Sequence, residues 1–177
     1  MTAGATPPLV LFDFANPLAV REWAPIDDRV MGGLSRSRLR HDPAGHAVFE
    51  GEVSLERGGG FASVRSTPGA RGLPGAAACL VALRGDPGRR FKLSLLADDA
   101  FDALLHQAPL RVEGTGWTTL QIPMSAFRPT FRGREVPGAP ALDPARIRQV
   151  GLMIAERQAG AFGLEVRWIG LQPVEET

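Results

Sequence analysis

Tyrosine is absent from this 177-residue chain, and cysteine and lysine occur once each, as Cys79 and Lys92. A lone cysteine has no intramolecular disulfide partner, so stability must come from burial, and a chain of this length hides roughly 70% of the surface its unfolded form exposes. Cys79 lies in the apolar run Ala76 to Leu83, the setting of a small core residue and not of an activated thiolate. Without tyrosine, any sugar-stacking platform must draw on Trp23, Trp117, Trp168 and the phenylalanines. An excess of one charge is missing too. Twenty basic residues face 19 acidic ones for a net charge of +1, which removes the broad electrostatic footprint of a protein that grips nucleic acid, and no basic run is interleaved with aromatics. No apolar run approaches the ~18 residues of a membrane span, and the start carries neither a secretory signal pattern nor an arginine-rich transit segment. The expectation is a cytoplasmic protein without a membrane span, peripheral association being left open.

Helix signals are also scarce, because 21 glycines and 15 prolines punctuate the chain as Thr67-Pro68-Gly69, Asp86-Pro87-Gly88, Val136-Pro137-Gly138 and similar turns. Strand signals fill the gaps. Phe49, Gly51, Val53 and Leu55 alternate with Glu50, Glu52 and Ser54; Phe91, Leu93, Leu95 and Ala97 alternate with Lys92 and Ser94; Phe162, Leu164, Val166 and Trp168 alternate with Glu165 and Arg167. On that phase Trp168 is a core residue. Leu9 to Phe14, Ala76 to Leu83 and Val150 to Ala155 are apolar on both faces and predict strands covered on both sides. Short helical turns are expected at Pro123 to Phe127 and at Asp143 to Arg148, with Asp143 as N-cap and Pro144 at the first position. The pattern predicts an all-β fold, a jelly-roll β-sandwich of about ten antiparallel strands in one domain, its core between roughly residues 9 and 172.

Two stretches escape periodicity. Asp27-Asp28-Arg29-Val30-Met31-Gly32-Gly33-Leu34-Ser35 packs charge, a thioether and a Gly-Gly step into one loop, and Gly58-Gly59-Gly60-Phe61 follows one strand later. Neither has the Lys-Ser/Thr ending or strand-then-helix context of a phosphate cradle. Adjacent carboxylates can contribute to a calcium site, but the six to eight oxygens such a site wants are not in view; an ion-paired, capped loop with Arg29 or Arg65 as partner is the favoured reading. Arg36, Arg38 and Arg40 fall on one strand face and read as a solvated stripe, or, with Arg132 and Arg134, as an anion-receptive surface. His41, His46 and His106 lack metal-ligand spacing, Asp98, Asp99 and Asp102 lack a companion base, and no G-x-S-x-G elbow occurs. No enzyme, metal or cofactor is expected.

Together these pieces resemble the complex I intermediate-associated protein 30 family. The matching segments run in the family's order: Trp23 with residues 27–37, Phe49-Glu50-Gly51, residues 59–65, Leu83-Arg84-Gly85-Asp86, Trp117 with Ile122-Pro123, Phe127-Arg128-Pro129 with Phe131-Arg132-Gly133-Arg134, and Ile147 through Ile169. The resemblance implies a galactose-binding-like jelly roll and a non-catalytic factor that assists assembly of respiratory NADH:ubiquinone oxidoreductase through protein contacts. Where relatives often carry Asn-Asn before Gly-Gly-Phe, this chain has Arg57-Gly58. The expected partner-binding set is Asp27, Asp28, Arg29, Met31, Gly32, Gly33, Ser35, Gly59, Gly60, Phe61, Arg65, Phe131 and Arg132, converging on one rim. Met31 and Phe61 would supply the apolar anchors. A carbohydrate-binding role on the concave face is the alternative.

Overall fold

A computed structural model describes residues 6–175, the Val30 side chain excepted. Its strands form two antiparallel sheets, as alternating apolar positions with turn-rich connections dictate. The first sheet runs β3 (Arg36–Asp42), β4 (His46–Val53), β13 (Gly160–Gln172), β6 (Ala78–Gly85), β9 (Thr118–Pro123), and β1 (Leu9–Asp13) pairs with the C-terminal half of β13. The second runs β11 (Arg134–Glu135), β10 (Arg128–Phe131), β8 (Leu105–Leu110), β7 (Phe91–Leu96), β12 (Gln149–Ile154), β5 (Ala62–Ser66), β2 (Trp23–Pro25). This is the jelly-roll sandwich expected. The described residues hold five 3-10 turns, at Pro17–Glu22, Asp28–Met31, Glu56–Gly58, Met124–Ala126 and Pro144–Arg146, the last capped by the Asp143 carboxylate, which accepts from the Ala145 N–H.

One continuous core lies between the sheets. Phe49 and Phe162 from the first sheet meet Phe91 from the second with ring centroids 5.0 to 6.3 Å apart, all edge-on, and Phe12, Phe14 and Trp23 form a second aromatic group. Cys79 is buried, and burial pushes its thiol up to about 12.

Two strand expectations fail for stated reasons. Phe162, Leu164 and Val166 do face the core, but a bulge between Val166 and Trp168 adds a residue and flips the phase, so Ile169 and Leu171 are buried and Trp168 is turned partly outward. Leu9 to Phe14 is not covered on both faces: β1 flanks β13 near its end, and Leu9 and Val10 are exposed.

Candidate functional site

The loop between β2 and β3 is tied down by its two acids. After Pro25 the chain continues alongside β5, where the Ile26 N–H donates to the Ser63 carbonyl at 2.8 Å, and then turns through a 3-10 segment at Asp28–Met31. Asp28 is 1% exposed. Its carboxylate accepts from the Ser35 N–H (2.9 Å) and hydroxyl (2.5 Å) at one end of its own loop, and from the Gly60 (2.8 Å) and Phe61 (3.3 Å) N–H groups of the glycine loop. Asp27 accepts from the Ser37 N–H (3.0 Å) and hydroxyl (2.5 Å) and from the Ser63 N–H (3.0 Å). Two carboxylates therefore stitch three segments of chain together.

The glycines follow from this stitch. A Cβ at Gly33 would stand 2.4 Å from an Asp28 carboxylate oxygen, and one at Gly59 would stand 2.6 Å from the other and 2.5 Å from the Ser54 carbonyl. The motif pairs an inward aspartate with two positions that must be bare to admit it. Burial by itself would raise the Asp28 carboxyl, but the bonds from Ser35, Gly60 and Phe61 outweigh it and hold the group below the ordinary aspartate range. At Asp27 burial wins over the bonds from Ser37 and Ser63, and the neighbouring Asp28 charge adds to it, so this carboxyl is raised.

The expectation of an arginine partner is corrected. Neither Arg29 nor Arg65 touches these acids; N–H and O–H donors compensate them instead. Donors aimed at all four oxygens present positive dipole ends where a cation would sit, and no group of three or more His, Cys, Asp or Glu side chains gathers as a metal set among the described residues.

The two loops converge as expected, and their outer surface carries Arg29, Met31 (65% exposed), Gly32 and Leu34 (42% exposed), with Phe61 half-buried beside them. Asp27, Asp28, Gly33, Ser35 and Gly59 are buried beneath, and Gly60 is partly covered, so these act as frame and not as contact surface. Leu34 escaped notice in the sequence because one leucine in a loop carries no periodic signal.

The remaining expected members lie elsewhere. The glycine loop leads into β5 at Ala62, and Ala62 sits beside Ile154, which pairs with Phe91, at one end of the second sheet. The β10–β11 hairpin extends from Thr130, paired with Leu105, at the other end, with β8, β7 and β12 between β10 and β5. Phe131 and Arg132 are thus at the opposite pole, where Arg132 pairs with Asp102 at 2.6 Å and lies over the Phe131 ring. Arg65 points from mid-strand across the outer face to donate to the Phe101 carbonyl at 2.8 Å. One rim is therefore two separate places.

The arginine stripe also divides. Arg38 and Arg40 share Glu50 on the outer face of the first sheet, while Arg132 and Arg134 belong to the hairpin of the second, so no joint surface exists. On that first face the Trp117 ring lies against Arg84 (4.7 Å from the ring centroid) and Arg167 (4.0 Å), with His46 edge-on at 5.2 Å. Arg84 is fixed in turn by a two-point pair with Glu165. The Trp117 ring is thus engaged by two guanidiniums and partly covered, Trp23 is buried, and Trp168 is partly exposed.

Residues 12–166 match the family model described as complex I intermediate-associated protein 30. An uncharacterized protein of Schizosaccharomyces pombe is 42% identical over 57 residues, 30% of this chain and only 26% of its own length. Among solved structures, the family 11 carbohydrate-binding module of the cellulase Lic26A-Cel5E of Clostridium thermocellum superposes with a TM-score of 0.69 at 16% identity, covering 98% of this chain and 99% of the module. The same family's module in complex with a β-1,3-1,4-mixed-linked tetrasaccharide gives 0.70 at 16% identity, with 98% and 100% covered. An agarase, AgWH50C, gives 0.59 at 12% identity, over 97% of this chain and 25% of the enzyme. Identities this low establish a shared fold.

Proposed function

The chain belongs to the complex I intermediate-associated protein 30 family, and from that membership we propose that it is a non-catalytic docking or assembly factor that acts on a protein partner through the tip of the 27–35 loop. The observation that carries this reading is an apolar pair, Met31 and Leu34, projecting from a loop whose buried acids leave it little freedom. A flexible exposed methionine pays in entropy when it docks; one held by a buried hydrogen-bonded frame arrives preorganised. Interface energy concentrates in a few such anchors, and Arg29 beside them supplies polar register. Subunits or assembly intermediates of the respiratory complex are the partners the family membership favours, and a cytoplasmic location facing the membrane surface fits them. Among the described residues no helix is long and apolar enough to cross a membrane.

Affinity purification from cells of the source organism, with the Met31→Glu/Leu34→Glu double variant as control, tests the reading. Respiratory subunits recovered with the wild type and lost with the variant, at unchanged melting temperature, are the expected outcome. Equal recovery from both would remove the tip from the interface. Recognition of a glycan on the concave face is the second reading, which the carbohydrate-binding-module neighbours favour; with no tyrosine present, ring stacking there would draw on Trp117, Trp168 or an exposed phenylalanine such as Phe101.

A further inference from the structure

A strand at the edge of a sheet presents unpaired backbone groups to any extended chain that comes near, and folded proteins blunt such edges with charge, proline, bulges or brevity. Four of the five edge strands of this sandwich are blunted in that way. β3 carries Arg36, Arg38 and Arg40 along its length, and its Ser37 N–H is spent on Asp27. β1 follows Pro7-Pro8, is bulged between Val10 and Phe12 and ends on Asp13. β2 is three residues long and closes on Pro25, and β11 is only Arg134 and Glu135. The fifth, β9, has none of these devices. Its run Thr118-Thr119-Leu120-Gln121-Ile122 is uncharged, keeps an unbroken register, meets proline only at its last position and pairs with β6 alone.

The phase of the β6–β9 ladder tells which backbone groups of this edge are free. The Met124 N–H donates to the Ala77 carbonyl at 3.1 Å, one residue beyond the partners Ala78 and Pro123. Hydrogen-bonded pairs in an antiparallel ladder recur at every second residue, so Ile122, Leu120 and Thr118 bond to β6 while the N–H and C=O groups of Thr119 and Gln121 point away from the sheet. No loop or turn backbone among the described residues bonds to those four groups. The edge is open to solvent on both sides. Thr119 and Gln121 on the outer face are exposed, and so is Thr118, although it shares the inner side with buried Ile122; Leu120 between them is half-buried.

We propose that β9 is a self-association edge: two copies of this chain pair β9 against β9 about a twofold axis at Leu120, so that the first sheet runs continuously through both subunits. A twofold axis through a sheet edge makes the two strands antiparallel. With the axis at Leu120, Thr119 lies opposite Gln121 of the second copy and Gln121 opposite its Thr119, and the free N–H and C=O groups meet as two hydrogen-bonded pairs. Charge favours this occupant. The facing side chains are threonine with glutamine on the outer side, and Leu120 with its copy and Thr118 with Ile122 on the inner side, so no like charges are brought together and Leu120 gains cover. The same operation on β3 would set arginine against arginine. A foreign peptide would be selected by its side chains, and β9 offers no charged group to select one. Six residues a side make a small contact, which suits a micromolar to millimolar equilibrium and not a permanent dimer. The edge shares no residue with the Met31/Leu34 tip, so the two readings stand or fall separately.

Sedimentation equilibrium of the full chain at up to about 1 mM, together with amide hydrogen exchange, tests the assignment. A monomer–dimer equilibrium is expected, with the Thr119 and Gln121 amides gaining protection as concentration rises while the exposed Gly114 amide does not. Thr119→Lys/Gln121→Lys sets lysine opposite lysine twice and should weaken dimerisation at least about tenfold at low salt and unchanged melting temperature. Thr119→Lys/Gln121→Glu sets lysine opposite glutamate in the same register and should recover the wild-type dimer or better. Gln121→Pro removes an N–H that has no partner within the chain and should also weaken the dimer. A monomer throughout that concentration range, a dimer indifferent to the double lysine variant, or a lysine–glutamate variant as weak as the double lysine one would each overturn the proposal. So would protection of the two amides in a monomer by a co-purified peptide, which would give the edge to a foreign strand.

Discussion

Replacing Asp28 by alanine removes the acceptor for four donors: the Ser35 amide and hydroxyl and the Gly60 and Phe61 amides. An unsatisfied buried donor costs about 1–3 kcal/mol, but Gly60 and Phe61 are only partly covered, and the vacated space admits water, which recovers part of the loss. The Ser35 hydroxyl retains a 3.3 Å approach to the Ser54 carbonyl. The net expectation is about 3–5 kcal/mol, a large share of the ~5–15 kcal/mol that holds a domain of this kind together. Urea unfolding reads the total, and amide hydrogen exchange reads its location. The Ser35, Gly60 and Phe61 amides should lose protection while the β7 and β12 amides exchange as in the wild type whenever the fold survives. A loss below about 1 kcal/mol with those three amides still protected would refute the claim that the carboxylate joins the two loops.

Gly59→Ala should cost at least about 2 kcal/mol in urea unfolding, since the added carbon meets the Ser54 carbonyl and the Asp28 carboxylate and neither can retreat easily. Asp28 is held below its ordinary value of 3.8, so its contribution is complete above that pH and is lost as the pH falls through it toward the folded value; Asp27 is raised and acts oppositely, stability declining as pH rises from 3.8 to its folded value. An unfolding series across the acid range should therefore show a shallower loss below pH 3.8 in Asp28→Ala than in the wild type; parallel curves would contradict this. Phe162→Ala, which removes one of the three mutually contacting rings, should cost about 3–5 kcal/mol by thermal or urea unfolding. Cys79, buried with its thiol pushed up to about 12, should resist a disulfide-exchange reagent in native buffer and react fully in denaturant.

Much of the architecture was legible in the residues themselves. Period-two alternation located β4, β7 and most of β13, punctuation by glycine and proline argued against helices, and the Asp143-Pro144 pair located a capped turn that forms as expected. Those signals are local: each depends on side chains a few positions apart. The bulge that turns Trp168 outward has no such signal, because the extra residue is accommodated by pairing with β6, a strand some 80 residues away in the chain, so that alternation continues in the sequence after it has reversed in space.

The odd loop motif marked a real constellation, and its composition determined that charge would be buried close to bare backbone. Only the tertiary structure decided what the charge meets. The donors to Asp27 and Asp28 are serine hydroxyls and main-chain amides from segments 7 to 36 residues distant, and every residue has an amide, so no residue type announces such a partner in advance. The same holds for surfaces. A hairpin tip with phenylalanine and arginine looks alike wherever it is placed, and strand order alone sends Phe131 and Arg132 to the far pole while leaving Met31 and Leu34 together on the near one. Sequence fixes which chemistry a short stretch can offer; pairing between distant strands fixes which stretches offer it together.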